Sequence, residues 1–308
     1  MDRDRVRERD QEIHTSTNTL HEHEFERGDR AQRSRWAIFK SLLAVLCFLA
    51  SSSFAASSPF DDASAAYERG DYVQAIKLFR EIAEQGHQWA QRRLGSMYAE
   101  GKGVPQDYQE AVKWYRLAAA QGNTPAQYSL GLAYEKGQGV PQDFQEAVKW
   151  YSIAASREDE WAQTRLGSMY AKAKGVPQDF QEAVKWYRLA AAQGYAPAEY
   201  SLGLAHEKGQ GVPQDYQEAV KWYRLAAAQG NASAQVNLAA MYADARGVRQ
   251  DFVRAHMWFD LAAATLSGNS RDRATKNRDR IAAKMTAEQI RTAQEMARRC
   301  QSTLKNCD

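Results

Sequence analysis

The chain has 308 residues, a length that suits about two ordinary globular domains. Apolar residues make up 44% and charged residues 26%, which is typical of a soluble folded protein. The net charge of +3 provides no strong basic excess, so a nucleic-acid partner, which requires many neutralised phosphates, is not expected.

Residues 1–35 carry many charges of both signs and few large apolar side chains. Such a segment cannot bury enough apolar surface to offset its conformational entropy, so we predict a disordered charged leader. His21 and His23 lie close together in this leader, but two histidines in a disordered segment do not predict a metal site.

Residues 36–55 have the layout of a secretory signal peptide. Basic residues precede an apolar run that continues to Ala50, and Ser53 and Ala55 place small residues at −3 and −1 of a cleavage site. We therefore expect cleavage after Ala55 and a periplasmic or secreted protein. Residues 41–60 carry no charge, so an uncleaved anchor in the inner membrane is the alternative.

Export would leave two cysteines, Cys300 and Cys307, in the mature chain. An even pair of cysteines in an oxidising compartment predicts a small terminal disulfide. Two unpaired surface thiols are the alternative.

One twenty-residue segment recurs along the chain. GVPQDYQEAVKWYRLAAAQG occurs at 103–122 and again at 211–230, and a third copy at 175–194 differs only by Phe180. The Gly-Val pairs recur every 36 residues, at Gly103, Gly139, Gly175, Gly211 and Gly247. A fixed period of this length predicts a stack of repeated supersecondary units.

A longer period of 72 residues is also present. Residues 94–140 are closely repeated at 166–212, so the units alternate between two types. A duplicated cassette of two units explains this alternation. A protein that tolerated the addition of two whole units is more easily explained by an extended binding surface than by a single pocket.

Each unit is predicted to contain two helices, as the unit that begins near Pro125 illustrates. Thr124 is the expected N-cap and Pro125 the first helical residue, where a missing N–H is harmless. Gly137 is expected to end this helix in a left-handed conformation. Val140 precedes Pro141, which favours an extended connection to the second helix.

The second helix is predicted to begin with a capping pair. Asp143 is the expected N-cap, and Glu146 follows at the third helical position, as in a capping box. Loss of such a cap costs about 1 kcal/mol. We interpret the recurring pairs as structural caps, not as catalytic carboxylates: Asp107 and Glu110, Asp143 and Glu146, Asp179 and Glu182, Asp215 and Glu218.

The second helix carries an apolar stripe of Ala147, Trp150, Tyr151 and Ala154. One hairpin cannot bury both of its faces, so neighbouring hairpins are expected to stack into a continuous core. Arg157 stands where we expect an alanine by register, and a locally altered turn is predicted there.

The residues that define the unit are Ala126, Leu130, Gly131, Tyr134, Gly137, Gly139, Val140, Asp143, Ala147, Trp150, Tyr151, Ala154 and Ala155. This pattern resembles the Sel1-like repeat, a relative of the tetratricopeptide repeat, and the resemblance covers about residues 64–264. It implies an all-α fold, a right-handed α-solenoid of about six stacked antiparallel helix pairs. It also implies a role in binding proteins.

The two ends of the repeat region depart from the pattern, as terminal units should. The first unit has a tight turn at Glu68–Asp71 in place of the longer glycine loop, and the last unit has Arg249 in place of proline. Residues 265–308 are predicted to form C-terminal capping helices. The last of them is expected to start at Thr286 with Gln289 and to pack on the open end of the stack.

No catalytic constellation is evident. The sequence has no GxSxG, HExxH, Walker or CxxC motif, and His87, His206 and His256 fall in different units, so we predict no enzyme, no metal and no cofactor. Ser302 and Lys305 match S-x-x-K without the companion motifs that such enzymes need.

The resemblance implies that the first helix of each unit lines a concave face. By register, the expected binding residues are Trp89, Arg92, Ser96, Pro125, Tyr128, Leu132, Trp161, Thr164, Ser168, Pro197, Tyr200 and Leu204. Tyr128 and Tyr200 occupy equivalent places and are of a residue type common in interface anchors. The alternative is that they only pack between hairpins.

Together these features predict an exported, non-catalytic scaffold of the bacterial cell envelope that binds a protein or peptide on its concave face. Because some exported relatives have been linked to β-lactams, a peptidoglycan-related enzyme is one alternative. A membrane-anchored adaptor is another, in which membrane contact is made through the N-terminal segment only.

Overall fold

The computed structural model describes residues 58–303, with side chains described through Gln301. The chain divides after Ser58 into two units, and the second begins at Pro59. Among the described residues there are only helices and no strand, which confirms the predicted all-α class. The predicted leader, signal peptide and cleavage site lie outside the described residues. No helix within 58–303 is both long and apolar enough to cross a bilayer.

The fourteen helices of the described region are α1 Pro59–Glu68, α2 Tyr72–Glu84, α3 Gln88–Glu100, α4 Tyr108–Ala120, α5 Thr124–Lys136, α6 Phe144–Ala155, α7 Glu160–Ala171, α8 Phe180–Ala192, α9 Ala196–Lys208, α10 Tyr216–Ala228, α11 Ala232–Asp244, α12 Phe252–Thr265, α13 Gly268–Ala282 and α14 Ala287–Thr303. Consecutive helices pack in pairs, so α1 to α12 form six hairpins and α13 and α14 follow them.

The core lies between hairpins. Each central buried cluster combines the second helix of one hairpin with the first helix of the next, as Tyr151 of α6 does with Leu166 and Met169 of α7. Tyr151 is completely buried, and burial of a ring of this size stabilises the fold by about 2 kcal/mol. The predicted stacking of hairpins is therefore confirmed, with a core made of successive clusters between neighbouring hairpins.

The glycine of the Gly-Val pair is required by a close contact between neighbouring units. Gly139 has a φ of +76°, and a Cβ atom there would lie 2.0 Å from the carbonyl oxygen of Tyr108, at the start of α4. Any larger residue would push the loop away from the preceding hairpin. This contact explains why a glycine recurs every 36 residues.

The first helix of the unit starts one residue earlier than predicted. Asn123, not Thr124, is the N-cap of α5, and its Oδ1 accepts a hydrogen bond of 3.0 Å from the N–H of Ala126. Asn123 is buried, so its amide satisfies a backbone donor that water cannot reach. Gly137 ends α5 at a φ of 67°, as predicted.

The four aspartates predicted as caps are N-cap residues in the structure. Asp143 Oδ1 accepts hydrogen bonds from the N–H groups of Gln145 and Glu146, at 2.9 and 3.0 Å. Asp107 and Asp215 accept the same two hydrogen bonds, and Asp179 accepts one, from the N–H of Glu182.

The glutamates do not complete a capping box, which corrects the role given to Glu110, Glu146, Glu182 and Glu218. The N–H of Asp143 donates instead to the carbonyl oxygen of Tyr134, in the first helix of the same hairpin. Glu146 pairs with Lys149, three residues later, and the other three glutamates make the equivalent pair. The N–H of the N-cap aspartate is thus bonded to a carbonyl oxygen of the preceding helix and not to the glutamate side chain three residues later.

The turn after α6 differs from its equivalents, as expected, but the register of Arg157 was wrong. Arg157 aligns with Gln121 and not with an alanine, and it donates a hydrogen bond to the carbonyl oxygen of Gly122. Glu158 then takes the place of Gly122 and adopts a φ of 64°. The turn keeps its left-handed residue without the glycine that normally permits it.

The C-terminal helices close the stack. Thr286 and Gln289 form a complete capping box, with hydrogen bonds of 2.8 and 3.2 Å in the two directions. Helix α14 packs on α12, and its Ala293 is fully buried in the cluster that ends the core. Cys300 is buried and disulfide-bonded. Because Cys307 lies outside the described residues, the pairing stays a prediction.

Candidate binding groove

A large groove lies between the first helices α7 and α9, above the second helix α8. We call it the α7/α9 groove; its volume is about 670 Å³. Its lining residues are Tyr128, Trp161, Thr164, Arg165, Ser168, Ala171, Lys172, Gln178, Phe180, Ala183, Val184, Tyr187, Tyr195, Pro197, Tyr200, Ser201, Leu204, Ala205, Lys208 and Gln210.

Aromatic rings form one wall of the groove. The Trp161 ring centroid lies 6.2 Å from that of Tyr128 and 5.1 Å from that of Tyr195. Trp161 remains 51% exposed despite these contacts. A large aromatic ring held by its neighbours but open to solvent is well placed to anchor a partner.

A polar contact links Arg165 to Glu135 and Tyr151. The Tyr151 hydroxyl donates to Glu135 Oε2 at 2.7 Å, and Glu135 Oε1 lies 3.7 Å from Arg165 Nη1. Burial lowers the pKa of Arg165, but the charge of Glu135 and the phenol of Tyr128 outweigh it and leave this pKa raised. Arg165 is therefore a permanent cation beside the groove.

The groove is apolar at its base and cationic at its edges. Its charged lining residues are Arg165, Lys172 and Lys208, and no acidic residue lines it. Burial raises the pKa of Tyr187 and of Tyr195 to about 12, so both phenols are neutral near neutral pH. Lys172 and Lys208 form no ion pair with another described residue.

Seven of the twelve residues expected to bind a partner line this groove. They are Tyr128, Trp161, Thr164, Ser168, Pro197, Tyr200 and Leu204. The other five lie elsewhere. Trp89 is exposed on α3, Arg92 and Ser96 are half-buried on the same helix, Pro125 is half-buried on α5, and Leu132 lines a second, smaller groove.

Sequence reasoning missed the cations and three of the aromatic residues, Phe180, Tyr187 and Tyr195. Tyr187 occupies the position of Tyr151 in the predicted stripe one unit later, and it also lines the groove. Tyr195 occupies the N-cap position of α9 but makes no side-chain cap bond, whereas Asn123 and Asn231 cap the equivalent helices. This departure from the repeat was the signal that could have revealed Tyr195.

The smaller groove is the counterpart of the first, two units earlier in the chain. It lies between α3 and α5 above α4 and has a volume of about 90 Å³. We call it the α3/α5 groove. Its floor contains Tyr115 and Leu132, at the positions of Tyr187 and Leu204 in the α7/α9 groove.

The described residues contain no group of three or more His, Cys, Asp or Glu side chains arranged to hold a metal ion. His206 and His256, which belong to different hairpins, both have a lowered pKa, caused mainly by burial. The S-x-x-K match at Ser302 and Lys305 lies outside the described side chains. The α7/α9 groove can therefore contact a ligand through aromatic rings, apolar groups and ammonium or guanidinium cations.

Comparisons with known proteins agree with this architecture. The Sel1 repeat family model matches six segments, 64–87, 90–123, 124–159, 162–195, 196–231 and 232–264. A Sel1 repeat protein from Oxalobacter formigenes is 30% identical with a TM-score of 0.68, and the match covers 81% of this chain and 97% of that one. A comparison with curated protein sequences found no match.

Two other solved structures are less similar. The protective antigen c5321 of uropathogenic Escherichia coli is 26% identical, with a TM-score of 0.38 over 78% of this chain and 75% of that one. The immunity protein Pa5087 of Pseudomonas aeruginosa is 22% identical, with a TM-score of 0.41 over 71% of this chain and 82% of that one.

Proposed function

The chain belongs to the Sel1 repeat family, and on that premise we propose that it is an exported, non-catalytic scaffold that binds a protein segment in the α7/α9 groove. Sel1 repeats form a scaffold typical of protein–protein interaction. Export is proposed from the signal-peptide layout of residues 36–55.

One observation supports this site above all others: Trp161 lines the α7/α9 groove and remains half-exposed to solvent. Tyr128 and Tyr195 hold its ring from two sides, so little conformational entropy is lost when a partner covers it. Few other positions in the described region combine a large ring, solvent exposure and an adjoining concave surface.

The repeat provides a matched pair of variants to test this function. Trp161→Ala should weaken partner binding by about 2 kcal/mol, or roughly thirtyfold, because an exposed anchor ring is lost. Trp89→Ala is the control, since Trp89 occupies the same register position and is 47% exposed. Binding would be measured by quantitative mass spectrometry of envelope proteins captured on each variant, and by titration with the purified partner.

Equal helical content in the two variants, measured by circular dichroism, shows that both remain folded. Partners lost from the Trp161 variant but kept by the Trp89 variant would support the assignment. Equal loss from both, or no loss from either, would refute it.

A further inference from the structure

The two grooves share floor residues but have very different volumes. Tyr187 and Leu204 of the α7/α9 groove stand 72 positions after Tyr115 and Leu132 of the α3/α5 groove, which is two periods of 36. The volumes are nevertheless about 670 and 90 Å³. The difference must come from positions where the duplicated units diverge.

The first divergent position is Thr164, whose counterpart is Arg92. Thr164 Oγ1 donates to the carbonyl oxygen of Glu160 at 2.8 Å, so this short side chain stays against its own helix. Arg92 is half-buried and lies near Tyr115: burial raises the pKa of Tyr115, and the Arg92 guanidinium opposes that rise. The short Thr164 side chain thus lines the α7/α9 groove, whereas the long Arg92 side chain lies near Tyr115, a residue of the α3/α5 groove.

The second divergent position reverses a charge. Lys172 lines the α7/α9 groove, whereas its counterpart is Glu100, whose carboxylate lies 2.7 Å from Lys102 Nζ. Arg165 and Lys208 add two further cations to the α7/α9 groove. A groove with three cations, neutral phenols and no lining carboxylate is electrostatically complementary to an acidic ligand.

The apolar lining indicates what else the ligand must carry. Trp161 is 51% exposed, and Tyr200 and Leu204 are half-buried, so these three residues leave apolar surface open in the same groove as the cations. A ligand that is acidic only would leave this surface in contact with water, and one that is apolar only would leave Lys172 and Lys208 without ion-pair partners. Both features are needed in one segment.

We infer that the α7/α9 groove binds an extended protein segment in which acidic residues alternate with large apolar ones. Its carboxylates face Lys172 and Lys208, and its apolar side chains lie against Trp161 and Leu204. This inference rests on the proposed function and adds the chemical class of the partner. The α3/α5 groove, with a volume of only about 90 Å³ and no lining cation, does not bind such a segment.

Three labelled peptides test the charge requirement on the full chain. Each contains the same Leu and Phe residues, separated by Glu in the first peptide, Ser in the second and Lys in the third. Fluorescence anisotropy should show the Glu peptide binding roughly tenfold more tightly than the Ser peptide, since near-surface ion pairs contribute on the order of 1 kcal/mol each. Added salt should reduce this difference.

The duplication again provides the matched variants. Lys208→Glu should weaken binding of the Glu peptide roughly tenfold, because it replaces an attraction by a repulsion. Lys136→Glu makes the same change at the equivalent place two units earlier and should leave binding unaltered. Equal effects of the two changes would overturn the inference.

The remaining outcomes separate this inference from the proposed function. If the Ser or Lys peptide binds as tightly as the Glu peptide and Trp161→Ala weakens it, the groove binds peptides but is not selective for acidic ones. The inference then fails and the proposed function stands. If none of the peptides binds, or a second copy of the chain occupies the groove in sedimentation experiments, the inference also fails.

Discussion

Three side chains occupy backbone positions that suit glycine. Glu158, Ala173 and Ala245 have φ values of 64°, 53° and 56°. In other units the equivalent positions are glycines, such as Gly194 for Glu158 and Gly137 for Ala173, with φ values of 78° and 67°. A Cβ atom makes this left-handed conformation unfavourable.

Replacing any of the three residues by glycine should therefore stabilise the protein. Glycine relieves the backbone strain at these positions, but it also costs more conformational entropy to order on folding. Because the strain energy is the larger of the two, we expect each change to raise the free energy of unfolding by about 0.5–1 kcal/mol. Gly194→Ala, the reverse change at a position with no atom close enough to clash, should lower it by a similar amount. Urea unfolding followed by circular dichroism would measure both, and stabilisation by Gly194→Ala would contradict this reasoning.

At the scale of the helix, the two members of the Asp and Glu pair have separate roles. Asp143 caps α6, whereas Glu146 lies on the surface and pairs with Lys149. At the equivalent Asp215, hydrogen bonds from the N–H groups of Glu218 and Gln217 lower the pKa of the carboxyl group. Because the pKa of Asp215 is lower in the folded than in the unfolded chain, this cap stabilises the fold fully at a pH above the unfolded-state pKa. The stabilisation is lost as the pH falls through the folded-state pKa.

Substitution of the two residues of one pair separates these roles. Asp143→Ala should lower the free energy of unfolding by about 1 kcal/mol, because two N–H groups of α6 lose their acceptor. Glu146→Gln should lower it by at most about 0.5 kcal/mol, since it removes one exposed ion pair. Thermal unfolding of the two variants would distinguish them. A loss for Glu146→Gln as large as that for Asp143→Ala would imply a complete capping box.

At the scale of the whole repeat region, each hairpin contacts mainly its neighbours in the chain. The core consists of clusters between successive hairpins, so stability is a sum of unit and interface contributions. Tyr151 fills the interface between α6 and α7, near the middle of the stack. Phe79, equally buried, belongs to the cluster at the first end.

Removal of these two rings should have different consequences. Replacement of either residue by alanine should lower the stability of the interface that it fills by about 3–5 kcal/mol. Tyr151→Ala should also divide unfolding into two transitions, because it weakens the central interface, whereas Phe79→Ala should loosen only the first hairpins. Denaturant titration with circular dichroism and tryptophan fluorescence would test this. Coincident single transitions in both variants would contradict nearest-neighbour coupling.

The sequence alone determined the period, the helical hairpin and most helix ends. These follow from interactions that span a few residues: Gly137 ends α5, Asp143 starts α6, and Thr286 with Gln289 starts α14. Repetition every 36 residues then required the hairpins to stack, because no single hairpin can bury both of its faces.

The tertiary structure alone decided which surface is open. Trp161, Tyr187 and Tyr200 belong to three different helices, and their separation depends on how successive hairpins pack. The same packing gave the N–H of Asp143 an acceptor in α5, so the local capping box was not needed. Two nearly identical stretches of sequence thus produced one large and one small groove. The large one is lined by Thr164, Lys172 and Tyr195, whose counterparts two units earlier are Arg92, Glu100 and Asn123.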